Sequence, residues 1–154
     1  MTAPTLEDTT EVKLCLGLIQ LLVGLQLVTW RADAAYSLTL QQPAAYLVTW
    51  PSAPDKVATF TPYPVADDPD QATSTVGVQV RTRWSGENPR AVANYAGAIF
   101  DALHGLGPVE LAGGVRVSQV LRRSGTSMGQ DGSKRWSWAD NYYVDLDRPS
   151  SYRS

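Results

Sequence analysis

Met128 to Pro149 reads MGQDGSKRWSWADNYYVDLDRP, and this stretch decides the fold class. Gly129 to Gly132 is turn chemistry, because Gly and Asp-Gly accept tight backbone geometry. From Arg135 to Leu146 the pattern changes to aromatic and β-branched residues. Trp136, Trp138, Tyr142, Val144 and Leu146 fall on one face, with Asp140 as the odd member. A period of two predicts a half-buried strand, and Arg148 to Ser154 then forms a polar tail. No nucleophile–base pair accompanies the pattern. Such a chain points to contact with other proteins rather than to chemistry.

Working upstream, Ser124 to Lys134 is rich in Gly and Ser and reads as a long loop, one from which Thr126 to Gln130 could be removed without loss of folding. Before it, Val109 to Ala112 and Val115 to Leu121 flank Gly113-Gly114, a two-residue hairpin signal. Val115, Val117 and Val120 break the two-residue period near Ser118, which predicts a bulge. Further up, Asn88 and Pro89 predict a helix start, and Val92, Tyr95, Ala96, Ile99 and Leu103 recur at helical spacing up to Gly105. His104, the single histidine, reads as a residue of that helix end.

Thr75 to Trp84 alternates cleanly. Val76, Val78, Val80, Thr82 and Trp84 share one face, and Gly77, Gln79, Arg81 and Arg83 share the other, with both arginines expected outward. Tyr46 to Trp50 and Lys56 to Thr61 are further strand candidates. Pro62, Pro64 and Pro69 with Asp67, Asp68 and Asp70 read as a loop. The first element is a helix of about Leu6 to Trp30, capped by Thr5, apolar over most of its surface; Gly24 is compatible with an early end. That apolar surface is either core or a face for a neighbouring subunit. The order of elements predicts an α+β fold, a mainly antiparallel but mixed sheet with two principal helices on one face. Residues 1–154 read as a single domain, with 1–5 a flexible N-terminus and 148–154 a polar tail.

Composition narrows the function. The 154 residues are 44% apolar and 18% charged with a net charge of −2, which fits a globular protein and disfavours a phosphate-binding surface. One cysteine, Cys15, excludes an intrachain disulfide and reads as a core thiol. Acidic residues ahead of the first apolar run carry the wrong sign for a secretory signal, and the run is short and interrupted for a membrane span. Asp67, Asp68 and Asp70 lack the later Glu of a calcium loop, so they read as a solvated turn. No catalytic, cofactor-binding or metal-ligating set is expected. Arg122, Arg123, Lys134 and Arg135 stand at the shoulders of the predicted loop, and Arg and aromatic residues are enriched in binding cores.

Several motifs occur in order: Pro62-Tyr-Pro64 with its Asp-rich loop, GVQVRTR at Gly77 to Arg83, NPRAV and DALHGL within Asn88 to Leu106, GGVRV at Gly113 to Val117, and RRSG, MGQDG and NYYV within Arg122 to Val144. Together they make the chain resemble the tail terminator (minor capsid, tail-completion) proteins of long-tailed siphophages, over about Tyr46 to Pro149. Asp131 to Arg135 departs from the family's turn in detail. The resemblance implies a small α+β subunit in a hexameric ring on the head-proximal end of the tail tube. Such a ring would end tube polymerisation and join the tail to the head connector, with DNA passing unread. Its place would be the neck of the virion, reached from the host cytoplasm during assembly; its partners would be itself, the tube protein and the connector or stopper protein, with no membrane. On that basis Arg122, Arg123, Thr126, Met128, Gln130, Asp131, Lys134 and Arg135 are expected to meet the tube or connector. Arg81 and Arg83 are expected to pair with Asp67, Asp68 or Asp70 of the next subunit. A head-completion or stopper protein, and a small ligand-binding α+β domain, are the alternative readings.

Overall fold

The computed structural model describes residues 8–154. In chain order it contains α1 (Thr10–Gly24), β1 (Ala44–Leu47), β2 (Val57–Asp67), β3 (Thr73–Trp84), α2 (Pro89–Leu103), β4 (Val109–Glu110), β5 (Arg116–Gln130) and β6 (Trp136–Asp147). The six strands form one sheet in the order β1-β2-β3-β6-β5-β4. β1 runs parallel to β2, and every other pairing is antiparallel. This is the expected α+β fold with a mixed sheet.

Both helices pack on one face. Leu14, Leu18, Ile19 and Leu22 of α1 join Tyr95, Ile99 and Leu103 of α2 in one core with Phe60, Val76, Val78, Val80, Tyr142, Val144 and Leu146 of the sheet. Burying each large apolar side chain contributes roughly 1.5–3 kcal/mol, so this layer dominates stability. Gly17 is what lets α1 settle. A Cβ there would lie 2.8 Å from Leu111 Cβ, so the loop after β4 rests directly on the helix backbone. A smaller cluster occupies the opposite face near β1, where Ala44, Tyr46 and Val57 pack with Tyr36, Leu40 and Trp50.

Several element boundaries differ from the sequence expectation. The strand expected over Tyr46 to Trp50 is β1, which ends at Leu47, where Val48 turns left-handed at φ +65°. The expected Thr5 cap and Leu6 lie outside the described residues, but Asp8 and Thr9 are not helical and α1 starts at Thr10, with Thr9 at the cap position. The helix stops at Gly24 rather than Trp30. Leu25 and Leu27 N–H groups close on Leu21 and Leu22, Gln26 turns left-handed at φ +59°, and Thr29 then bridges to Ala44.

Pro62 and Pro64 lie inside β2 rather than in a loop. Proline has no N–H to donate, and only the first part of β2 is paired with β1. The prolines therefore fall where β2 is an outer edge, and the ladder to β3 loses nothing.

Ser124 to Gln130 is strand, not loop. β5 pairs with β6 as far as Gln130 opposite Trp136, leaving a short turn at Asp131 to Arg135. Low intrinsic strand preference in a Gly- and Ser-rich segment is overridden by a strong neighbour. The expected bulge appears as a register shift between Val117 and Gln119, with two more between Arg122 and Ser124 and between Ser127 and Gly129.

α2 matches its expectation, with Asn88 Oδ1 accepting the Arg90 N–H at 2.9 Å. The polar tail folds back on the β2–β3 turn. Arg153 donates to the carbonyl oxygens of Gln71 and Thr73, and Arg148 bonds Glu11 of α1.

Candidate protein-interaction surface

The β5–β6 hairpin holds most of the residues singled out from sequence. Its end is built by Asp131. Oδ1 accepts the N–H groups of Ser133 and Arg135, both at 2.9 Å, and Oδ2 accepts Arg135 Nε at 2.9 Å. The Arg135 N–H and guanidinium bonds hold the Asp131 carboxyl below its ordinary value. Lys134 takes the left-handed position at φ +60° and stays exposed. Arg135 also donates to Ser52 O at 2.6 Å and to Asp55 Oδ1 at 3.2 Å. Asp131 and Arg135 therefore tie the hairpin end to the Pro51–Asp55 loop. Met128, Gln130 and Lys134 remain free to touch a partner, with Met128 51% exposed.

The other shoulder is partly committed as well. Arg122 lies 4.0 Å over the Phe100 ring and 3.8 Å from Asp140 Oδ2. Its N–H donates to His104 Nδ1 at 3.0 Å, so the single histidine caps a strand edge as well as ending a helix. Asp140 is buried and receives Trp138 Nε1–H at 2.9 Å. Burial pushes its carboxyl above the ordinary value, against the lowering effects of Trp138 and Arg122. Gly125 stands directly opposite Asp140, and a Cβ there would be 1.9 Å from Oδ1. Arg123 and Thr126 are exposed.

On β3 the two arginines part ways. Arg83 is not an outward cation. It is 2% exposed, and its guanidinium donates to the carbonyl oxygens of Asp55, Pro51 and Pro54 at 2.8, 2.7 and 2.7 Å. The small cluster around Trp50 covers this end of the face, which is why strand alternation did not put Arg83 in water. Arg81 is half-buried with its guanidinium 3.9 Å over Trp50. Asp67, Asp68 and Asp70 sit at the opposite end of the sheet, at the β2–β3 turn. There Asp68 Oδ1 accepts the N–H groups of Asp70 and Gln71. Within one subunit the arginines and these aspartates do not meet.

The helix-free face carries a polar chain that sequence reading missed. Tyr63 lies over Gly77, where a Cβ would be 2.2 Å from its ring; its hydroxyl donates to Asn141 Oδ1 at 3.2 Å, and Asn141 Nδ2 donates to Ser124 Oγ at 3.0 Å. The glycine at an outward β3 position was the available signal, because strand glycines mark close approach.

Among the described residues, no group of three or more His, Cys, Asp or Glu is placed to hold a metal ion, and no helix is long and apolar enough to cross a membrane. Burial pushes the Cys15 thiol up to about 12, which leaves it unreactive. The surface thus offers exposed strand edges, a hairpin end and a polar sheet face, which are elements of protein contact.

Comparison with known proteins agrees with this. No curated protein matches the chain. Among solved structures, a chain of the virion of a native gene transfer agent particle superposes with a TM-score of 0.64 at 17% identity, over 87% of this chain and 94% of that one, which shows a shared fold. A model of the bacteriophage tail terminator protein family matches residues 21–148. The chain belongs to the bacteriophage tail terminator family and is a virion structural protein of the tail.

Proposed function

We propose that the protein caps the head-proximal end of a siphophage tail tube as a hexameric ring, ends tube polymerisation and presents a surface to the head connector in the neck. The observation that carries this reading is the family match over residues 21–148. Contacts around a ring are head-to-tail, so each subunit needs two different faces. The sheet supplies two unlike edges, β5 on one side and the distal half of β2 on the other. DNA passes through the lumen without being read, in keeping with a net charge of −2. The hairpin end, with Met128, Gln130 and Lys134 exposed, is the contact to the tube or connector.

Adding the purified protein to polymerising tube protein tests the capping step. Arrest of tube growth at substoichiometric amounts, with a ring on one tube end, is expected. Tubes that grow to the same length with and without it would contradict the proposal.

A further inference from the structure

Among the described residues, two stretches of sheet edge without partners complement each other. On β2, β1 covers the first half only; its last bond is the Val48 N–H to the Phe60 carbonyl. Backbone groups of one residue point to the same side of an antiparallel strand and alternate along it. Phe60 points outward, so Pro62 and Pro64 also point outward. Each offers a carbonyl and no N–H. A register shift between Pro64 and Ala66 ends this segment. It is an edge of two acceptors without donors, and it cannot pair with its own copy.

On β5 the outward groups of Val120 are bonded to Gly105 and Leu106, and the outward N–H of Arg122 is bonded to His104. Leu121 therefore faces β6, opposite Tyr143, and the next inward pairs are Ser124 with Asn141 and Thr126 with Ala139. Gly125 and Ser127 are left facing outward, bracketed by the shifts at Arg122/Ser124 and Ser127/Gly129. The Ser127 carbonyl already accepts the Thr126 hydroxyl, and the two N–H groups stay open. Two donors two residues apart stand on one edge, and two acceptors two residues apart stand on the other.

We infer that β5 of one subunit pairs antiparallel with the distal half of β2 of the next, Gly125 N–H donating to the Pro64 carbonyl and Ser127 N–H to the Pro62 carbonyl. β2 and β5 run in opposite directions within the sheet, so this pairing continues it head-to-tail from copy to copy. Charge agrees with this pairing. Beyond the bonded pairs, past the shifts at Arg122/Ser124 and Pro64/Ala66, exposed Arg123 lies toward the turn that opens with Asp67 and Asp68, and none of these three charged side chains has an ion-pair partner among the described residues of its own subunit. Pairing of opposite patches fixes register and suppresses wrong neighbours. The acidic turn thus keeps a role between subunits, with Arg123 rather than Arg83 as its partner.

This inference rests on the ring reading. Its test is a disulfide between positions 63 and 126, which face each other in the non-hydrogen-bonded pair between the two bonds, on the helix-free side. Cα atoms there are about 4.5 Å apart, within disulfide reach. The full-length Tyr63→Cys/Thr126→Cys protein, taken from assembled tails and mildly oxidised, is expected to give a ladder of cross-linked copies that closes at the ring. Each single variant is expected to give none. A dimer from Thr126→Cys alone would overturn the inference in favour of two-fold edge pairing. Rings seen by electron microscopy without the ladder would place the contact elsewhere and leave the ring reading standing, whereas tails without rings would remove both. A second variant needs no cysteine. Arg123→Glu is expected to lower ring formation about tenfold, with recovery on adding Asp67→Lys; failure of the swap to recover assembly counts against the register.

Discussion

Arg83 shows how much one side chain decides at the end of the sheet. Three carbonyl oxygens of the Pro51–Asp55 loop depend on its guanidinium. Arg83→Ala is expected to lose about 1–3 kcal/mol, the cost of one buried acceptor left without a donor, since Pro54 is buried while Pro51 is half-buried and Asp55 is exposed. Denaturant midpoints measure it, and a loss under about 0.5 kcal/mol would contradict the assignment. In sequence Arg81 and Arg83 look equivalent, because alternation gives a side but not what lies over that side. The loop that covers Arg83 comes from residues about thirty positions away, beyond the reach of any local pattern. Asp140 makes a second residue-scale case. Its carboxyl is raised by burial, so the folded chain holds the proton more tightly than the unfolded chain. By linkage its charge disfavours folding at neutral pH; that cost diminishes as pH falls through the raised value and is gone below the ordinary carboxyl range. Asp140→Asn keeps an acceptor for Trp138. Relative to the parent, it is expected to be more stable at about pH 7 than near pH 3. An equal difference at both pH values would contradict this.

At the scale of elements, the strongly periodic pieces are legible in sequence. β3, β6 and α2 can be read with their faces correct, because burial on one side imposes a period that survives in sequence. The distal half of β5 and the proline part of β2 read as loops. Their strand character comes from the neighbours they pair with, and Gly, Ser and Pro carry little of it themselves. The hairpin segment Thr126–Gln130 is therefore part of a ladder, and removing it would damage the sheet. Glycine positions in the sheet provide a cleaner element-scale test. Gly77→Ala is expected to cost about 1–3 kcal/mol by pushing Tyr63 from its seat and breaking its bond to Asn141. The same change on a Tyr63→Ala background is expected to cost clearly less, and equal costs in the two backgrounds would show that the ring is not what the glycine accommodates.

Across the whole molecule, the fold assigns different tasks to different surfaces. The helix face is core, the two free edges are unlike one another, and the hairpin end carries exposed groups that hold nothing together within the subunit. Met128→Asp with Lys134→Glu is expected to leave stability within about 0.5 kcal/mol of the parent, as surface changes do, while abolishing capping of polymerising tubes. Capping by that variant at the parent's efficiency would remove the hairpin end from the contact. The capping role itself is tested by electron microscopy of tails from an infection lacking this protein. Overlong tubes of uneven length, unattached to filled heads, are the expected result. Tails of normal length would contradict it, and if they stood beside filled heads without joining them, the protein would belong to the connector side of the neck.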